Sequence, residues 1–326
     1  MTQPPHGSRL SRDKWDKILR IAAVVAAVGL FIVILIGFLD TLTGSAEGCG
    51  RMWTLCNGGV LPGFTEQSQI EYWHRAITGM DGLLVGILAI WAWRRHWQRW
   101  DLVVPAVVGA GFVAVQSAVG ALAVIYPESA PLLATHFGFA LLAFAGFALL
   151  AIGLLQMRAP VSGFTLRSRT LPLRLRWGAL GLLVYIMGAA YWGTYVAHVG
   201  GGTACTGWPL CNGQLVPTLT DSVLPIFFHR LVAVGAGVWG VWLYLRCRPL
   251  KGIRPDVYRA AHVILGLVVL LILSGAELAL SRLAVGWDLV HVGFVTLLFT
   301  TASYLFLQTL PPFAEREPRA RALRGA

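Results

Sequence analysis

With 326 residues, 56% of them apolar and only 13% charged, the chain falls far below the charge content of about 25% typical of a soluble domain. A mean hydropathy of +0.68 and long apolar runs exclude a soluble globular class and indicate a polytopic membrane protein. The net charge of +11 calls for no nucleic-acid partner, because the basic residues follow the membrane topology and meet anionic lipid headgroups.

Hydropathy predicts eight helical spans, at residues 18–39, 74–93, 102–125, 131–157, 177–199, 224–245, 257–280 and 288–310. Each has the ~20 residues that a bilayer core requires. Helices are expected because backbone groups in lipid must be satisfied within the segment. The first run is long enough to span and no small-residue cleavage site follows it, so it reads as a span and not as a leader peptide. Basic residues gather before span 1, after spans 2, 4 and 6, and in the tail, which together hold 22 of the 26. The positive-inside rule then puts both termini in the cytoplasm and the two long loops before spans 2 and 6 on the outer face.

A polar stretch at 159–172, with Pro160, Gly163 and Pro172, reads as a cytoplasmic linker between an N-terminal half (1–158) and a C-terminal half (173–326). Short connections within each half imply antiparallel neighbours, hence two tandem four-helix bundles. Four spans per half is an even number. The halves therefore share one orientation and are related by a pseudo-twofold axis along the membrane normal.

A shift of 155 residues carries His74-Arg75 onto His229-Arg230, His136 onto His291, and Leu55-Cys56-Asn57-Gly58 onto Leu210-Cys211-Asn212-Gly213. All four repeated histidines fall at the outer ends of even-numbered spans. Two imidazoles facing each other across a bundle supply both axial ligands of a haem iron. They also suit zinc or copper, but two histidines leave such an ion under-coordinated. No Cys-x-x-Cys-His attachment motif is present, so a haem would be noncovalent. A lone histidine in a membrane helix is more often a packing residue; four at one common shift point to a duplicated site. Arg75 and Arg230 suit haem propionates, or headgroups reached by snorkelling.

Cys49 and Cys56 share the first outer loop, and Cys205 and Cys211 its counterpart. On an oxidising face these pairs are expected as two disulfides, with reduced thiols or a metal as the alternatives. Redox exchange with a partner thiol is a further role for them. Cys247 lies on the cytoplasmic side without a partner in the pattern. His6 and His96 are expected to be solvated there.

The repeat breaks at Glu71, one helical turn before His74, where the second half has Ile226. A carboxylate there either meets water or acts beside the site as a proton acceptor or cation stabiliser. Gln116 (opposite Leu271) and Glu277 (opposite Leu122) are further polar groups confined to one half. His198 and His262 do not repeat and read as structural.

These residues together resemble the haem A synthase family, over roughly residues 17–310. The motif Glu71-Tyr72-Trp73-His74-Arg75, the second His-Arg, single histidines opening spans 4 and 8, and two cysteine loops sharing Trp-x-Leu-Cys-Asn-Gly carry the resemblance. Cysteine pairs in both halves match its bacterial type and imply a bacterial inner-membrane location. The family oxidises the C8 methyl of haem O to a formyl group by successive hydroxylations, giving haem A for cytochrome oxidase. The resemblance implies haem b on His229 and His291, haem O as substrate near His74 and His136, and Glu71 as the carboxylate required for turnover. It also implies three associates: the farnesyltransferase that forms haem O, the oxidase assembly pathway, and an unidentified electron acceptor. A noncatalytic dihaem membrane cytochrome and a haem transporter or chaperone are the competing classes.

Overall fold

The computed structural model describes residues 6–51, 55–126, 129–157 and 171–310, with side chains described from Lys14 onward. Its eight helices are α1 (His6–Leu42), α2 (Glu66–His96), α3 (Trp100–Ile125), α4 (Ala130–Gln156), α5 (Leu173–His198), α6 (Val223–Cys247), α7 (Pro255–Leu280) and α8 (Val285–Thr309). All eight are long and apolar enough to cross a membrane. The stretch read as a linker falls almost wholly outside the described residues, as do Trp53 of the first loop and the arginines of the tail.

Helix α2 starts two turns earlier than hydropathy predicts. Its first turns are polar (Glu66, Gln67, Ser68, Gln69), and the start is fixed by Thr65, whose hydroxyl oxygen accepts from the Ser68 N–H at 3.3 Å. This is ordinary N-capping, which satisfies a helix donor that has no partner within the helix. His74 consequently lies ~12 Å inside α2, and each of the other three repeated histidines ~9 Å inside its helix, at 1.5 Å per residue.

Helices α1, α2, α3 and α4 pack in a closed ring, each against the next and α4 against α1; α5 to α8 do the same. The rings meet where α4 touches α8 and α5, and α8 touches α1. Exchanging α1 with α5 and α4 with α8 leaves this set of contacts unchanged, as a pseudo-twofold relation requires. Small residues allow the closest approaches: Gly146 of α4 sits so near α3 that an added Cβ would lie 2.7 Å from the Cα of Gly109. Lipid offers no hydrophobic drive between helices, so this close packing is what holds them together.

The repeat extends to the opposite end from the cysteine loops. Arg99 grips Asp101 at the start of α3 through bonds of 2.9 and 2.8 Å. Arg254 grips Asp256 at the start of α7, with bonds of 3.0 and 2.7 Å. Arg254 is fully buried and also donates to the carbonyl of Gln308 on α8 at 3.2 Å. His96 is less solvated than expected: it lies half-buried with Nε2 3.9 Å from Asp16.

Candidate functional site

The cysteine loops cap the two rings. Cys49 is disulfide-bonded to Cys56 and Cys205 to Cys211, while Cys247 is free and buried. Asn57 and Gly58 have φ of 51° and 83°, and Asn212 and Gly213 have 53° and 78°. Two successive left-handed residues make a tight hairpin turn, which is why Asn-Gly repeats after each second cysteine. The turn is closed by paired backbone bonds, Cys56 with Gly59 at 2.9 Å and Cys211 with Gln214 at 3.0 Å.

Each loop is tied to the helix that follows it by an arginine. Arg75 donates to the carbonyl of Leu55 at 3.4 Å, and Arg230 to those of Leu210 at 3.2 Å and Cys205 at 2.9 Å. The repeated arginines thus hold the loop backbone, a role not read from the sequence.

In the first ring, Glu71 joins this arrangement. It is 2% exposed. One oxygen accepts the Cys49 N–H at 2.6 Å and the other is ion-paired with Arg75. With N–H donors on both oxygens, the Glu71 carboxyl is fixed in position by the loop and by Arg75. Ile226 has no group to accept such bonds, so the carboxylate, its arginine pair and its bond to the disulfide loop belong to one half only.

Below the loops lie the histidines. His74 and His136 are within electrostatic range of each other, as are His229 and His291. His136 Nδ1 is bonded to the backbone carbonyl of Gln116 on α3 at 2.9 Å. His291 Nδ1 is bonded to the hydroxyl of Ser274 on α7 at 3.0 Å, and that hydroxyl donates to the carbonyl of Leu271 at 3.1 Å. Gln116 and Leu271 are equivalent positions, so what repeats is the main-chain carbonyl and not the side chain. Nδ1 of His74 and of His229 is buried without a partner. The hydrogen bonds that are made engage Nδ1 and leave Nε2 for a metal, the arrangement by which second-shell groups orient a ligating imidazole.

Among the described residues, no three His, Cys, Asp or Glu side chains gather to hold a metal ion. Each ring offers two imidazoles, which fit the axial positions of a porphyrin iron and fall short of a tetrahedral zinc set.

The structure adds residues the sequence reading missed. Asp40, at the outer end of α1, is 7% exposed, and its Oδ1 has no hydrogen-bond partner. It lies within electrostatic range of Glu71 and Arg75. Asp81, two turns inward from His74 on α2, is equally buried, and its carboxylate rests against Gly29 of α1. Their only sequence signal was a carboxylate inside an apolar run, which is costly in a membrane and for that reason informative. Other residues are placed away from the imidazole pairs. Glu277 is exposed on α7, and His262 packs with Tyr244 and Tyr258. His198 Nδ1 bonds to the Thr194 carbonyl of its own helix at 2.7 Å.

The class defined by this architecture is a multi-pass membrane protein with a pair of imidazoles inside each of two repeated helical rings. More narrowly, the chain belongs to the COX15-CtaA family, described as cytochrome oxidase assembly protein, whose model matches residues 20–303. It is similar to the haem A synthase of Symbiobacterium thermophilum, with 35% identity over 90% of this chain and 96% of that one. It is also similar to those of Bacillus licheniformis (30% identity; 90% and 96% covered) and Geobacillus kaustophilus (32%; 90% and 92%).

Proposed function

We propose that the ring α1–α4 receives haem O between His74 and His136 and oxidises it beside Glu71, while the ring α5–α8 retains haem b on His229 and His291. The overall activity follows from the family: the protein is a haem A synthase, an oxidoreductase that converts haem O to haem A. The division of labour between halves rests on one observation. The imidazole pairs repeat, but the buried, doubly hydrogen-bonded carboxylate of Glu71 does not.

Held by His229 and His291, haem b would supply one-electron transfer, relaying electrons one at a time from the substrate to an external electron acceptor. The remaining chemistry falls to this chain's side chains. Converting a methyl to an alcohol with water breaks a C–H and an O–H bond, forms a C–O bond, and releases two protons and two electrons. Positive charge develops on the methyl carbon as electrons leave. In its anionic form, the Glu71 carboxylate that Arg75 and the Cys49 N–H hold in place stabilises that charge without reorganising, which is the economical form of electrostatic catalysis. Arg75 and the disulfide hold Glu71 in place while substrate enters and product leaves.

The same reading places both termini in the cytoplasm of a bacterial cell, with the cysteine loops outside, on the strength of the basic clusters. In this reading residues 1–158 form the substrate half, 159–172 the linker and 173–326 the haem b half. Haem O arrives from the farnesyltransferase that makes it and haem A departs toward cytochrome oxidase. The test is expression with a haem O-forming enzyme, followed by haem extraction and chromatography. Haem A in the extract is expected, together with haem b retained on the purified chain. Two haem b per chain and no haem A would leave a dihaem cytochrome as the function.

A further inference from the structure

Each of the four imidazoles rests against a glycine on the helix that precedes its own. A Cβ built on Gly37 of α1 would lie 2.8 Å from Cε1 of His74, and one on Gly120 of α3 2.8 Å from Cε1 of His136. On Gly193 of α5 it would lie 2.7 Å from Cε1 of His229, and on Gly275 of α7 3.4 Å from Cε1 of His291. Gly120 and Gly275 are related by the 155 shift, and Gly37 and Gly193 by a shift of 156. The same feature therefore occurs four times, once per histidine.

Ordinary helix-packing glycines give a different picture. Gly146 faces backbone atoms of α3, so its role is helix approach. At Gly37, Gly120 and Gly193 the three nearest atoms, and at Gly275 both atoms within 4 Å, belong to the imidazole ring. A glycine inside a helix costs about 1 kcal/mol relative to alanine, so four of them at equivalent places need a reason. The reason is visible at Gly120 and Gly275, which lie four residues after Gln116 and Leu271. A side chain at either position would stand over the carbonyl near which the histidine Nδ1 is held.

We propose that these four glycines are positioning residues. Each admits the Cε1 corner of its histidine ring against the neighbouring helix and so fixes the rotation of that ring, and with it the angle between the two imidazole planes. This rests on the reading that the histidines ligate haem. Because the gaps are unequal, the glycines differ in how strictly they are needed. At 2.7–2.8 Å a methyl group forces the ring to turn; at 3.4 Å it fits as an ordinary contact.

The test uses the full-length protein purified with its resident haem b. Electron paramagnetic resonance of a ferric low-spin haem responds to the angle between axial imidazole planes, which a change in stability alone does not move. Gly193→Ala is expected to shift that signal or convert it in part to high spin, whereas Gly275→Ala keeps it. Gly188→Ala, in the same helix with nothing within 4 Å of the added carbon, is the control and keeps it too. Should Gly193→Ala fail to accumulate, Gly37→Ala provides the test in the other half, as altered haem O binding with the haem b signal intact. A wild-type signal in Gly193→Ala, wild-type haem O binding in Gly37→Ala, or an equal shift in Gly275→Ala would overturn the proposal. His229→Ala separates the two ideas: if it retains haem b, the ligand assignment itself is wrong, whatever the glycines do.

Discussion

Asp40 on α1 lies within electrostatic range of Glu71 on α2. The Gly37–His74 contact sets the register of these antiparallel helices. One turn outward on each brings the two carboxyl groups to the same level, beside Arg75. Their surroundings differ: Glu71 accepts from N–H donors on both oxygens, and Asp40 has an oxygen with none. Carboxylates in unlike settings serve unlike roles. Glu71→Gln should therefore lower haem A formation by at least about 100-fold, the scale of a lost electrostatic contact in a closed site, with haem b content unchanged. Haem chromatography on the purified variant measures both; near-normal haem A would remove Glu71 from the chemistry.

The two disulfides should not be equivalent. Only the first loop donates a backbone N–H to a carboxylate, from Cys49 to Glu71. Replacing Cys49 and Cys56 by serine should depress haem A formation more than replacing Cys205 and Cys211. Each replacement should also cost stability on the order of 2–4 kcal/mol, as is typical for a lost disulfide. Equal turnover in the two double variants would show that the loop does not position Glu71.

Gln116→Leu reproduces the second half's residue at that position. It should leave His136 correctly oriented, since the main-chain carbonyl and not the amide makes the bond. Haem O binding, followed by absorbance, should match the wild type. Ser274→Ala should instead shift the haem b reduction potential, because that hydroxyl reaches His291 Nδ1 directly.

At the opposite end, Arg254 is buried and Arg99 partly exposed, with side chains 1% and 39% accessible. Arg254→Ala strands the carboxylate of Asp256 and should cost about 3–5 kcal/mol. Arg99→Ala should cost clearly less, because water reaches its site. Thermal unfolding in detergent gives the comparison; equal losses would mean that burial does not set the difference.

Much of this site was legible in the sequence because it is duplicated. The histidine pairs, the cysteine loops and the singular Glu71 emerge from comparing one half with the other. The glycines of α1 and α5 did not, for a definite reason. The cysteines are separated by 7 residues in the first loop and 6 in the second, so the shift is 156 up to the first cysteine and 155 from the loop tryptophan onward. A single shift misaligns α1 with α5 and conceals the match of Gly37 with Gly193. Asp40 belongs to no motif, and its significance depends on which residue lies near it. The early start of α2 was missed because its polar first turns look like loop to a hydropathy window, although Thr65 caps them.

Helices α4 and α8 abut where the two rings meet, and each carries one histidine of its ring: His136 and His291. On the assignment proposed above, the two haem sites would share this wall. Because tunnelling weakens steeply with separation, electrons leaving the substrate would then pass from one half to the other through packed protein, along helices that already join the rings.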